Sequence, residues 1–268
     1  MYELEYVKKR KRRKVALLVG GVSTVVVTSL AIISFLGRFV GTFTVSLETR
    51  NVDLTLSEKS DFANRSSYLR VNNVSSFQEF TYGDFEQFGD EIIDSEQSDV
   101  LLGANYASGS NEVESLNFFK YTFYVRNVGK EPAKYDFHLN ILENVQSKDG
   151  RSLDDTMRVM VYTNGDKKVY AKPESTPHIG PDGNPDYRSP ISIDEKDATP
   201  AYPFMGYADP FTSSEVVTTI SGIQLDIGET KRYTIVTWLE GFRSSNLQTA
   251  PEGATIKLGV EINAYEIQ

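Results

Sequence analysis

The feature that most limits what this chain can become is Val15–Leu36, VALLVGGVSTVVVTSLAIISFL, 22 residues without a single charge. At 1.5 Å rise per residue a helix of that length spans about 33 Å, against a hydrocarbon core about 30 Å thick. An amphipathic helix of a water-exposed domain needs a polar face, and this run has none. It predicts a transmembrane helix.

Directly before it, Lys8–Lys14 reads KKRKRRK, and the next cation along the chain is Arg38. An excess of Lys and Arg beside a span marks its cytoplasmic side. The expected organisation is therefore a basic cytoplasmic tail over residues 1–14, a signal anchor over 15–36 and an extracytoplasmic domain over 37–268. A cleaved export signal also opens with cations, but its apolar core is about 7–15 residues long and ends in a small-x-small site. The core here is longer and SFLGRFVGTF lacks Ala-x-Ala, so the anchor is expected to stay. On its own the basic run could also be a nucleic-acid or nuclear-localisation patch. Next to a span, topology and attraction to anionic headgroups account for it. Gly20, Thr24 and Thr28 stand four apart and offer a face for helix–helix contact, although small residues are common in spans.

Charge divides the chain. Residues 1–38 set two acidic side chains against eight basic ones, a balance of +6, so the remainder carries −15 of the total −9. A domain that acidic argues against nucleic acid as a partner, because phosphate contacts need Lys and Arg. The chain has no cysteine. An exported domain without disulfides must be held by its hydrophobic core, which 230 residues can supply. A large cysteine-free ectodomain fits a bacterial surface better than a eukaryotic secretory product, and the sequons at Asn64 and Asn73 are then chance matches.

The ectodomain reads as strands. Residues 39–57 alternate, with Phe43, Val45 and Leu47 followed by Val52, Leu54 and Leu56. That pattern predicts two strands, or one bent across Thr49–Asn51. Strand signal returns at Phe118–Val125 and, past a turn at Asn127–Lys134, at Tyr135–Leu142, where Tyr135, Phe137, Leu139 and Ile141 share a face. Met157–Tyr162 and Lys168–Ala171 flank Asn164-Gly165, the strongest short hairpin signal, because a type I′ turn needs positive φ at both central residues. Val216–Leu225, Arg232–Glu240 and Thr255–Ile267 complete the set. Two stretches interrupt it. Residues 58–115 are polar, contain the acidic block Asp84–Asp99 and read as an excursion holding a strand or helical turn. Residues 171–212 hold eight of the ten prolines and read as an extended surface loop. The fold class expected is all-β, an immunoglobulin-like or jelly-roll-type β-sandwich preceded by one transmembrane helix.

Catalytic signatures are missing from the sequence. There is no thiol, no His-Glu-x-x-His, no Gly-x-Ser-x-Gly elbow and no phosphate-binding glycine loop. His138, in YDFHLNIL, points away from Phe137 and Leu139 and reads as solvent-facing or locally paired. His178 lies among prolines, where a surface role is as well supported as any other, and a serine hydrolase built on it is the weaker reading. Asp182, Asn184 and Asp186 stand at alternate positions like the opening of a calcium loop. Tyr187 and Ile193 then occupy the places where that loop needs glycine and a bidentate glutamate, so a plain turn is favoured. Trp238, the only tryptophan, reads as a buried anchor. Tyr202, Phe204, Tyr207 and Phe211 either form an exposed binding patch or pin the loop onto the sandwich. No catalytic, cofactor-binding or metal-ligating residue is assigned, and no cofactor is expected.

Gly41–Phe43 just past the span, Val52–Leu56 (VDLTL) and YTFYVRNVGKEPAKYDFHLNI at 121–141 resemble the camelysin/TasA group of bacterial surface and matrix proteins. LDIGETKRYTIVTWLEG at 225–241 resembles the acidic-glycine turn and strand of many extracellular sandwiches. The resemblance covers about a third of the chain. It implies a cysteine-poor β-sandwich behind an export segment and a surface or matrix role. Some members are described as metalloproteases, and these residues supply no ligands for that. The uncleaved segment and the long loop depart from the group. The expectation is a non-enzymatic, single-pass membrane protein with a structural, adhesive or matrix role, acting through protein contacts or self-association. The alternative is an accessory or sensor subunit of a membrane complex.

Overall fold

The computed structural model describes residues 41–74, 82, 118–180, 182–192, 204–240 and 253–267. The predicted transmembrane segment and the acidic block at 84–99 lie outside them. Among the described residues no helix is long and apolar enough to cross a membrane.

The strands are β1 (Gly41–Thr49), β2 (Leu54–Ser57), β3 (Tyr68–Val74), β4 (Phe118–Asn127), β5 (Ala133–Val145), β6 (Met157–Thr163), β7 (Asp166–Ala171), β8 (His178–Ile179), β9 (Pro185–Asp186), β10 (Pro190–Ser192), β11 (Phe204–Tyr207), β12 (Asp209–Pro210), β13 (Val216–Leu225), β14 (Thr230–Leu239) and β15 (Thr255–Glu266). Sheet A runs β13-β5-β15-β1-β3 and sheet B runs β12-β7-β6-β14-β4-β2. The pairing nests: β6 with β7, β5 with β13, β4 with β14 and β1 with β15, each pair enclosing the previous one along the chain. The three inner pairs are antiparallel and the outermost, β1 with β15, is parallel.

The two sheets share one core. Phe43 and Val45 on β1, Tyr135, Phe137 and Leu139 on β5, and Leu258, Val260 and Ile262 on β15 meet Phe119, Tyr121 and Phe123 on β4 and Tyr233 and Ile235 on β14. The Phe137 and Tyr233 rings stack at 4.8 Å, and Phe43 packs on Phe119 at 5.3 Å. The hydroxyls of Tyr135 and Tyr233 hydrogen-bond across the sheets at 2.5 Å. Burial first of all raises the pKa of both phenols, which keeps the pair neutral.

Sequence periodicity and burial agree on β5, whose residues alternate between buried and half-buried from Ala133 to Ile141. His138 lies on the outer side and meets Thr219 Oγ1 at 3.1 Å through Nδ1, the locally paired role expected of it. The bend at Thr49–Asn51 separates two strands that enter different sheets, and Asn51 takes a φ of 59° there. Asn164 (φ 52°) and Gly165 (φ 94°) both adopt the left-handed conformation that the β6–β7 turn requires.

Of the two interruptions, the first holds a strand as expected of it, and the second is more structured than an extended loop. Part of the 58–115 stretch is β3, paired with β1 at the margin of sheet A. The proline-rich stretch forms two small antiparallel pairs, β8 with β9 and β10 with β11, and adds β12 in parallel to β7. Prolines sit in these short pairs because edge positions do not ask each residue for a ladder N–H.

Candidate functional site

The connections between strands sort by end. At one end the chain turns through residues 50–53, 128–132, 164–165 and 226–229. Asn127 ties this end together: its side-chain amide donates to the carbonyls of Glu131 and Leu225, and its Oδ1 accepts from the Gly129 N–H. At the other end the connections are 75–117, 146–156, 172–215 and 240–254. Gly41, the start of β1, belongs to this second end, because Gly41 pairs with Val74 and β1 lies level with the beginning of β15 and the last residues of β5. Four short turns and the ten-residue β2–β3 connection, residues 58–67, lie toward one end, while the two longest excursions, 75–117 and 172–215, leave from and return to the end where β1 begins. Binding residues concentrate on loops held by a rigid scaffold, so this is the end where function is to be sought.

Three groupings occupy it. The first is the β8–β9 hairpin. The His178 ring stacks on Tyr207 of β11 at 4.5 Å, and the Arg188 guanidinium lies 5.3 Å from the same ring. Nδ1 of His178 stands 3.8 Å from Glu174 Oε2 and Nε2 stands 3.7 Å from Asp186 Oδ2, too long for hydrogen bonds. Nε2 is buried without a hydrogen-bond partner. Arg188 donates to both oxygens of Asp186, which holds that carboxyl down to about 2. Among the described residues, the side chains recorded nearest the His178 nitrogens are these two carboxylates.

The calcium-like triplet belongs to the same hairpin and is used up by it. Asp182 accepts from the Asn184 backbone and side chain, Asp186 is committed to Arg188, and Gly180 N–H donates to Asn184 O. This is the plain turn. No group of three or more metal-ligating side chains occurs among the described residues. The loop aromatics divide. Phe211 is buried in the central core with its N–H bonded to Ala171 O, pinning the loop, whereas Tyr207 is the platform for His178. The side chains of Tyr202 and Phe204 lie outside the described residues.

The second grouping is on the outer face of sheet B. Phe118, Met160, Tyr162, Val236 and Trp238 form a separate apolar cluster, with Tyr82 packed 6.3 Å from Trp238. Trp238 is the buried anchor expected, though of this outer cluster and not of the central core; its Nε1–H donates to Glu240 at 2.6 Å. Lys120 and Arg158 are both buried on this face. Burial lowers the pKa of Arg158, opposed by Glu240 and Glu174. No sequence signal marked this pair of cations, since Lys120 reads as an outward residue in FFKYTFYV.

The third is the ion-pair node at Lys172. Its ammonium lies 3.0 Å from Asp154 and 2.7 Å from Asp155. Burial opposes the ionisation of Asp154, but hydrogen bonds from Ser152, Asn144 and Lys172 outweigh it and keep the carboxyl below its ordinary range. Nearby, residues 140–144 and 214–216 line an open groove of about 750 Å³.

Comparison with protein-family models, with curated proteins and with solved structures finds no match to this chain.

Proposed function

We propose that this protein is a single-pass, membrane-anchored bacterial surface protein with a non-enzymatic binding role, exercised at the membrane-facing end of its β-domain. One observation carries the reading. Only residues 37–40 separate the apolar run from β1, and the end of the domain where β1 begins is also the end that bears the two longest connections, 75–117 and 172–215. That asymmetry supports the accessory or sensor subunit more than an outward adhesin. An adhesin would present its longest loops away from the bilayer, and here the opposite end carries short turns and the ten-residue connection 58–67.

The nested pairing supports the jelly-roll form of sandwich over the immunoglobulin-like one, since a jelly roll is a long hairpin wound over two facing sheets. The parallel β1–β15 pair departs from an all-antiparallel roll. The likeness to the camelysin/TasA group remains a proposal of the same kind. Its longest piece, residues 121–141, forms most of β4, the turn and β5, the link between the sheets.

The test uses the full chain in a bacterial membrane. Resistance to carbonate extraction, with the β-domain shaved from intact cells by added protease, is expected. A β-domain protected in intact cells would overturn the topology. Co-purification of a membrane protein that is lost when Gly20, Thr24 and Thr28 become leucine supports the subunit reading. Fibres or large oligomers of the detergent-solubilised chain, with no partner, would return the matrix role to first place.

A further inference from the structure

We infer that the margin of sheet A around Leu142 and Val145 rests on the lipid surface, so that the domain lies against the bilayer instead of standing clear of it. The inference builds on the anchored reading above. β5 alternates up to Ile141, and from Leu142 to Val145 it is exposed, with Leu142 57% and Val145 43% accessible. Both are aliphatic, and both lie at the level where β1 begins, because Thr255 pairs with Val145 while Leu258 pairs at once with Ile141 and with Phe43.

Leu142 is held flat rather than projecting freely. It lies over Gly259, where an added Cβ would come within 2.6 Å of its Cδ1 and 2.9 Å of Thr44 Oγ1. The glycine makes room for the leucine to spread across the outer face at its membrane-side margin. Further along that face the outward residues are polar, Asn140, His138, Asp136 and Lys134, so the apolar patch stops where a headgroup layer would end.

Reach keeps this end close to the bilayer. Residues 37–40 span at most about 14 Å when fully extended. The headgroup layer itself occupies about 5–7 Å of that distance on each side of the hydrocarbon core. That leaves at most about 7–9 Å beyond the headgroups, so the β1 end stays next to the lipid surface. Lys257 pairs with Glu143 and Arg151 with Asp149, and Glu215 in the groove beside Leu142 adds a negative charge, so no basic cluster among the described residues draws this margin to anionic lipid. The attraction is therefore apolar, and added salt should leave it unchanged.

The absence of native cysteine makes the test clean, because an introduced thiol is the only one to label. Leu142→Cys and Val145→Cys in the full chain, each carrying a bimane fluorophore, are reconstituted into phosphatidylcholine–phosphatidylglycerol vesicles doped with nitroxide-headgroup lipid. Ile227→Cys, in the β13–β14 turn at the opposite end and 59% exposed, is the reference. Fluorescence at 142 and 145 is expected to fall by about half, with little change at 227 and no effect of salt, as for side chains seated at the headgroup boundary. Equal, weak quenching at all three sites in chains that float with the vesicles would overturn the lipid contact and leave the anchor standing. Labels shielded from water but not quenched by lipid would hand the surface to a protein and likewise overturn it. Chains that fail to float would overturn the anchor together with the contact.

Discussion

The two sheets are built from similar strands and put to different use. Sheet A buries its inner face and leaves the outer one to Lys134, Asp136, His138 and Asn140. The central strands of sheet B are buried on both faces, so that β4 is enclosed along nearly its whole length and β14 from Tyr233 to Leu239. The sequence marks the difference as clean alternation in one and near-continuous apolar runs in the other, the same distinction that separates half-exposed from fully covered sheets. The consequence is energetic. Outward positions of sheet A are tolerant, whereas those of sheet B are core positions in all but name.

The sharpest way to break that comparison is to treat matching outward positions alike. Trp238→Ala is expected to cost about 3–5 kcal/mol, the loss for removing a large buried aromatic. His138→Ala should stay within about 0.5 kcal/mol, as for a surface change. Chemical denaturation followed by circular dichroism measures both, since the first variant lacks the only tryptophan. Equal costs would show that the outer face of sheet B is not a core.

A smaller effect tests what joins the sheets. Tyr233→Phe should lose about 1–3 kcal/mol by leaving the Tyr135 hydroxyl buried and unpaired. Adding Tyr135→Phe should cost less than the two single changes summed, because no orphaned hydroxyl remains. Additive losses in the same denaturation series would mean that the hydrogen bond does not couple the layers.

The smallest concerns the loop-bearing end. Asp154 titrates below its ordinary range in the folded chain, so its contribution is present above about pH 4 and is lost as pH falls through the lower folded value. Lys172→Met should therefore lower stability by about 1 kcal/mol near pH 7, a figure kept small because Lys172 is partly exposed. The gap should narrow as pH falls below the ordinary carboxylate range and Asp154 takes up its proton. A pH-independent gap would assign the loss to packing.

Much of this was legible in the sequence. The face shared by Tyr135, Phe137, Leu139 and Ile141, the Asn164-Gly165 hairpin and the split at Thr49–Asn51 follow from local periodicity and turn chemistry. What was hidden depends on partners distant in the chain. Lys120 looks outward by alternation and is buried because the far side of its sheet is covered. Tyr135 and Tyr233 are each an ordinary strand tyrosine until the fold puts their hydroxyls together. His178 was visible as a lone histidine, but nothing in the spacing foretold that Tyr207 would stack on it. The proline count signalled a loop and concealed five short strands, because strands of two to four residues leave no periodic trace.

The pairing of β1 with β15 also sets the order of assembly. Ser46 bonds to Val260, 214 residues further along, so β1 gains β3 on one edge early and β15 on the other almost last. The inner hairpin of β6 and β7 can close as soon as it is made, while β1 waits with an unsatisfied edge until synthesis is nearly finished. Such a non-local closure folds slowly and exposes the early chain to mispairing. A domain wound in this way completes itself in one late step, and a chain cut short before β15 would leave β1 and β5 facing each other across an empty place in the sheet.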